Sequence, residues 1–127
     1  MPANMKITWW TPGTNYPVTA SPGTSVHVYS YFQNIGDVAA NWFVSLVDRD
    51  TGATVDKKVR LPPNFPTLPP GYATADSCYG TMPNRAWNLR WNVGHIQDST
   101  EVIDDYRDFT INLTGQPKLL VVSARID

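Results

Sequence analysis

Apolar and polar residues alternate with a period of two along most of the chain, and turn-forming residues interrupt the alternation at short intervals. That pattern predicts an antiparallel β-sandwich or barrel, since no segment carries the 3.6-residue period of an amphipathic helix. Met5, Ile7 and Trp9 alternate with Lys6 and Thr8 in a first strand ending at Thr11-Pro12-Gly13. The alternation puts Trp9 on the core side and Trp10 on the opposite side. After Ser21-Pro22-Gly23, Val26, Val28, Ser30 and Phe32 alternate with His27, Tyr29 and Tyr31, and Asn34-Ile35-Gly36-Asp37 turns the chain.

Trp42, Val44 and Leu46 form one face of the next strand, and Asp48-Arg49-Asp50-Thr51-Gly52 has the composition of a hairpin loop. A short strand over 54–61 carries Lys57 and Lys58, read as outward lysines that discourage pairing at a sheet edge. Pro62, Pro63, Pro66, Pro69 and Pro70 make the segment 62–71 an extended surface connection, because proline cannot donate to a central ladder. Residues 73–82 read as a weak strand of small residues. Trp87, Leu89, Trp91 and Val93 alternate with Asn88, Arg90 and Asn92 in the clearest strand of the chain. An acidic loop is expected from Asp98 to Asp105, then a closing strand with Phe109, Ile111 and Leu113 on one side.

The resulting expectation is an all-β, immunoglobulin-like antiparallel β-sandwich of about seven to eight strands with an extended C-terminal strand. Its core draws on Val28, Phe32, Trp42, Val44, Leu46, Trp87, Leu89, Trp91, Phe109 and Ile111. Residues 1–115 form the sandwich and residues 116–127 a C-terminal strand or arm. In that arm Leu119, Leu120, Val121 and Val122 are apolar on both faces, so it is expected to pair either with its own sheet or with a neighbouring chain's edge.

Several elements resemble those of the CARDB-type, cell-adhesion-related domains. The run from Val26 to Asp37 is similar to that family's alternating strand and Asn-x-Gly turn. Leu68-Pro69-Pro70-Gly71, or Leu61-Pro62-Pro63, is similar to its Leu-x-Pro-Gly element, and Trp87 to Leu113 to its last hairpin. Where the family has paired asparagines before the last strand, this chain has Tyr106-Arg107-Asp108. The resemblance implies an immunoglobulin-like sandwich acting as a non-catalytic module in a surface or extracellular structure.

Composition narrows the function classes. With 42% hydrophobic and 17% charged residues, the 127-residue chain has enough apolar side chains for a core of one domain. The net charge of −1, with no basic run, makes nucleic acid and anionic membranes unexpected partners. No apolar stretch reaches the ~18 residues of a bilayer span, and residues 1–6 lack the apolar core of a secretory signal. The single cysteine, Cys78, cannot form an internal disulfide and reads as a buried apolar residue.

No catalytic, cofactor-binding or metal-binding residues are assigned. His27 and His95 lie in no nucleophile motif, and one cysteine with two distant histidines lacks zinc spacing. Asp48, Asp50, Asp98, Glu101, Asp104 and Asp105 fall in expected loops, where oxygen ligands for calcium would cluster. The bidentate acid of a calcium loop is missing, so these residues read as solvated turns.

The aromatic residues are more informative. Trp10, His27, Tyr29 and Tyr31 are expected on a second, outward aromatic face, suited either to sugar stacking or to burial against another protein. The reading is a non-catalytic structural or interaction module that assembles with itself or with a larger scaffold, such as a virion decoration or fibre protein. The alternative is an adhesion or carbohydrate-binding module of a larger secreted surface protein. Either setting places the chain on a virion or an extracellular surface.

Overall fold

In the computed structural model, which describes residues 2–11 and 18–114, the alternating segments form eight strands and no helix. They are β1 (Met5–Thr11), β2 (Val18–Ala20), β3 (Ser25–Asn34), β4 (Trp42–Asp48), β5 (Thr54–Arg60), β6 (Ala73–Thr81), β7 (Trp87–Gln97) and β8 (Thr100–Leu113). One sheet has the order β1-β3-β6 and the other β2-β8-β7-β4-β5. All ladders are antiparallel except the short pairing of β2 with β8. The fold is the expected immunoglobulin-like β-sandwich.

The inner faces carry the residues that the alternation selects. Val28, Phe32, Trp42, Val44, Leu46, Trp87, Leu89, Trp91 and Ile111 are all buried, and Phe109 packs partly buried against them. Burying each large side chain contributes about 1.5–3 kcal/mol, which makes this cluster the main stabilising element. Central strands β4 and β7 are also covered on their outer side. Phe43 is buried there, with its ring over Gly94: a Cβ at Gly94 would lie 2.6 Å from Phe43 Cε1 and 2.0 Å from the Val102 carbonyl oxygen.

The Asn-x-Gly turn has a specific structural reason. Asn34 is fully buried, and its carboxamide Nδ2 donates to the carbonyls of Val38 and Leu68, both at 2.9 Å. Its Oδ1 accepts from the amides of Asn4 (3.2 Å) and Gly36 (3.0 Å). One side chain thus ties together the N-terminal segment, the turn and the proline-rich connection. Gly36 lies under the 2–4 segment, where a Cβ would sit 2.0 Å from the Pro2 carbonyl oxygen.

Charged side chains close both lateral seams of the sandwich. On one side, Asp104 and Asp105 of β8 reach across to β1, accepting from the Met5 and Ile7 amides at 2.9 Å each. On the other, Asp56 of β5 accepts from the Tyr79 amide of β6 at 2.9 Å. Arg60 of β5 makes a bidentate pair with Asp76 of β6 at 2.7 and 2.8 Å, and the Trp42 indole donates to the same carboxylate. The Asp76 hydrogen bond, ahead of the opposing effect of burial, pushes the Arg60 pKa upward.

Three expectations are corrected, and a fourth falls outside the described residues. A bulge between Ile7 and Trp9 reverses the alternation in β1, so Trp9 faces outward and Trp10 turns inward onto Phe109, with ring centroids 5.5 Å apart. The acidic loop is instead a two-residue turn at Asp98 and Ser99, both at positive φ (52° and 64°), and residues 100–105 already belong to β8. Both central residues at φ > 0 give the turn whose twist suits a hairpin. Lys58 is not outward. Period two makes it face β6, where it pairs with Asp56 at 3.0 Å, while Lys57 on the other side pairs with Glu101. The expected arm, with Leu119, Leu120, Val121 and Val122, lies outside the described residues.

Candidate interaction surface

The outer face of the three-stranded sheet is built around β3, whose buried Val28, Ser30 and Phe32 force His27, Tyr29 and Tyr31 to the other side. β6 runs beside it in continuous register, with Tyr79 opposite His27, Ser77 opposite Tyr29 and Ala75 opposite Tyr31. The β1 bulge brings Trp9 opposite Tyr31 on the other flank. Five rings therefore meet on one face.

Their geometry divides them into two groups. Tyr79, His27 and Tyr29 stand as a stack, with centroids 4.2 Å apart at 7° and 5.4 Å apart at 18°. Trp9 packs edge-on to Tyr29 (5.4 Å, 61°) and Tyr31 (5.9 Å, 78°). Trp9, Tyr31 and Tyr79 each keep half of their surface in solvent, at 51%, 51% and 53%. Beside the rings, His27, Tyr29, Ala75, Asp76 and Ser77 line an open depression of about 270 Å³. The outward positions of β3 and β6 carry no carboxylate, ammonium or guanidinium, while on β1 the exposed Lys6 stands opposite Gln33 at the margin of the ring cluster.

His27, Tyr29 and Tyr31 thus lie where the alternation puts them, whereas Trp10 belongs to the interior and Trp9 takes its place outside. Tyr79 was missed because its strand of small residues carries no apolar stripe. Its alternation with buried Cys78 is the signal that places it.

The other chemistry-bearing groups are held in structural roles. His95 is buried, with Nδ1 2.7 Å from Asp104 Oδ2 and Nε2 3.3 Å from Gln97 Oε1. Asp48 accepts from the Trp87 indole, the Arg85 guanidinium and the amides of Asp50 and Thr51. Burial works to raise its pKa, but these donors outweigh it and hold the carboxyl at about 2. Among the described residues no three His, Cys, Asp or Glu side chains gather as a metal site.

By sequence, no family model matches the chain and no curated relative matches it. Solved structures show the fold. It is similar to that of a CARDB domain. The CARDB domain of a Pyrococcus furiosus protein, in complex with di-metal ions, superposes with a TM-score of 0.55 over 88% of this chain and 87% of that one, at 11% identity. A β-glucosidase from Listeria innocua matches with a TM-score of 0.51 at 16% identity, over 87% of this chain but only 16% of the enzyme. The sandwich fold is thus similar both to a separately crystallised domain and to a small part of a longer chain.

Proposed function

We propose that the domain is a non-catalytic interaction module that docks onto another protein through the ring face of β1, β3 and β6. One observation carries this reading: in the Tyr79-His27-Tyr29 stack both faces of His27 and one face each of Tyr79 and Tyr29 are already spent on neighbouring rings. Most of what remains for a partner along the stack is ring edges and phenol groups. A sugar stacks on an open ring face, whereas a protein surface packs against rigid ring edges and hydrogen-bonds their polar tips. Aromatic enrichment and the lack of formal charge at these positions also match the core of a protein interface.

The first partner to test is a second copy of the chain, and a larger surface scaffold is the next. Sedimentation of the full chain over a wide concentration range is expected to show association that Trp9→Ser with Tyr31→Ser abolishes, without a change in the denaturation midpoint. A wild-type chain that stays monomeric throughout removes self-assembly.

Adhesion through a glycan is the second reading, favoured by the half-exposed Trp9 and Tyr31 rings at the free end of the cluster. Binding on a glycan array, lost in Tyr31→Ser, would establish it in place of protein docking. Neither reading assigns a reaction to His27 or His95.

A further inference from the structure

Among the described residues the β1-β3-β6 sheet ends at β1 and β6, and side chains hydrogen-bond to outward backbone groups of both strands. Along β1, the outward amides of Met5 and Ile7 donate to Asp104 and Asp105. Along β6, the amide of Tyr79 donates to Asp56, and that of Ser77 to the carboxylate of the adjacent Asp76. The Ser77 carbonyl accepts from Lys58 Nζ at 3.4 Å. Asp56, Asp104 and Asp105 all come from the opposite sheet.

An edge strand normally offers alternate N–H and C=O groups as a template for a further strand. Here two successive outward amides on each edge end on a carboxylate, so an incoming strand must displace charge-assisted hydrogen bonds before it can pair. Asp105 and Asp56 are further tied by Arg107 at 2.8 Å and Lys58 at 3.0 Å, which hold the carboxylates at the edge.

We infer that Asp56 and Asp105, together with Asp104, form an edge lock that prevents a second copy of this chain from adding to the three-stranded sheet by strand pairing. Association through this sheet is thereby confined to its ring face. When the lock is removed, the partner that fits is the same edge of another copy. Two identical strands pair antiparallel about a two-fold axis, which closes as a dimer.

The test uses the full chain carrying Asp56→Ala, Asp105→Ala or both, in the wild-type background and in the Trp9→Ser/Tyr31→Ser background. The second background separates edge association from face association, so failure here is distinct from failure of the docking proposal. In dilute solution, exchange of the Ile7 amide in Asp105→Ala, and of the Tyr79 amide in Asp56→Ala, is expected to accelerate by about tenfold or more. At higher concentration each singly substituted chain is expected to dimerise through its freed edge in both backgrounds, and the doubly substituted chain, with two freed edges, to form larger assemblies.

Asp56→Asn and Asp105→Asn keep an acceptor oxygen and are expected to retain both protection and the parent mass. Wild-type Ile7 and Tyr79 amides exchanging at open-chain rates would overturn the lock. So would alanine variants that lose protection yet keep the parent mass at every concentration. Should Asp105→Ala fail to fold, the β6 edge probed by Asp56→Ala decides the matter in the same way.

Discussion

The indole N–H of Trp91 donates to the hydroxyl of Ser30 at 2.9 Å, joining the centre of the five-stranded sheet to the centre of the three-stranded one inside the core. Both residues are fully buried. A serine among Val28 and Phe32 satisfies the one polar atom of the largest core side chain. Ser30→Ala leaves that donor unpaired, at a cost of about 1–3 kcal/mol. Trp91→Ala removes the ring as well and is expected to cost about 3–5 kcal/mol. Urea denaturation checks both, and unchanged midpoints would show that the indole is not held in a close-packed core.

Gly36→Ala is expected to destabilise the fold by about 1–3 kcal/mol through overpacking. The added methyl meets backbone, not a flexible side chain: the Pro2 carbonyl oxygen at 2.0 Å and the Ala3 Cα at 2.8 Å. Relief requires moving the 2–4 segment, which breaks the hydrogen bond from the Ile35 N–H to the Asn4 carbonyl (2.8 Å) and that from the Asn4 N–H to Asn34 Oδ1. A lowered denaturation midpoint, with faster exchange of the Ile35 amide, is the expected result. Wild-type values for both would show that the segment moves aside freely.

The period-two pattern made the core legible because most inward residues of β3, β4 and β7 are large and apolar, with Ser30 the small polar exception among Val28 and Phe32. Where the pattern failed, a local event intervened. The β1 bulge shifts the register by one position after Ile7 and exchanges Trp9 for Trp10, which nothing in two adjacent tryptophans announces. β2 has only three residues and pairs in parallel, too short to show alternation. The first half of β8 reads as loop because its acids serve as hydrogen-bond acceptors for β1 rather than as solvated turn residues. Of the ring face, three of five rings were legible on β3, and the other two depended on how neighbouring strands register against it.

Cys78 is expected to resist thiol reagents in the native state. It is fully buried on the inner side of β6. Burial, reinforced by the charges of Asp56 and Asp76, pushes its pKa up to about 12, so the reactive thiolate is scarce even if the reagent could enter. Labelling then waits for opening of the sandwich and should run at least about a thousandfold slower than in the unfolded chain. A native labelling rate close to that of a free thiol would contradict the buried position.

Asp48 is expected to make the fold acid-sensitive. Its folded pKa, lowered from 3.8 to about 2, is depressed relative to an unfolded chain, so the ionised form favours folding. That contribution is fully present above about pH 4 and fades as the pH falls through the folded value, because the proton then binds the unfolded state more readily than the native one. The carboxylate joins the Trp87 indole in the core to Arg85 at the surface and to the turn amides of Asp50 and Thr51, so protonation weakens a core anchor and a hairpin turn together. Asp48→Asn removes the titrating charge. The variant should be less stable than wild type at neutral pH, and the gap between their urea midpoints should narrow between pH 4 and pH 2. A constant gap over that range would show that another group governs the acid response.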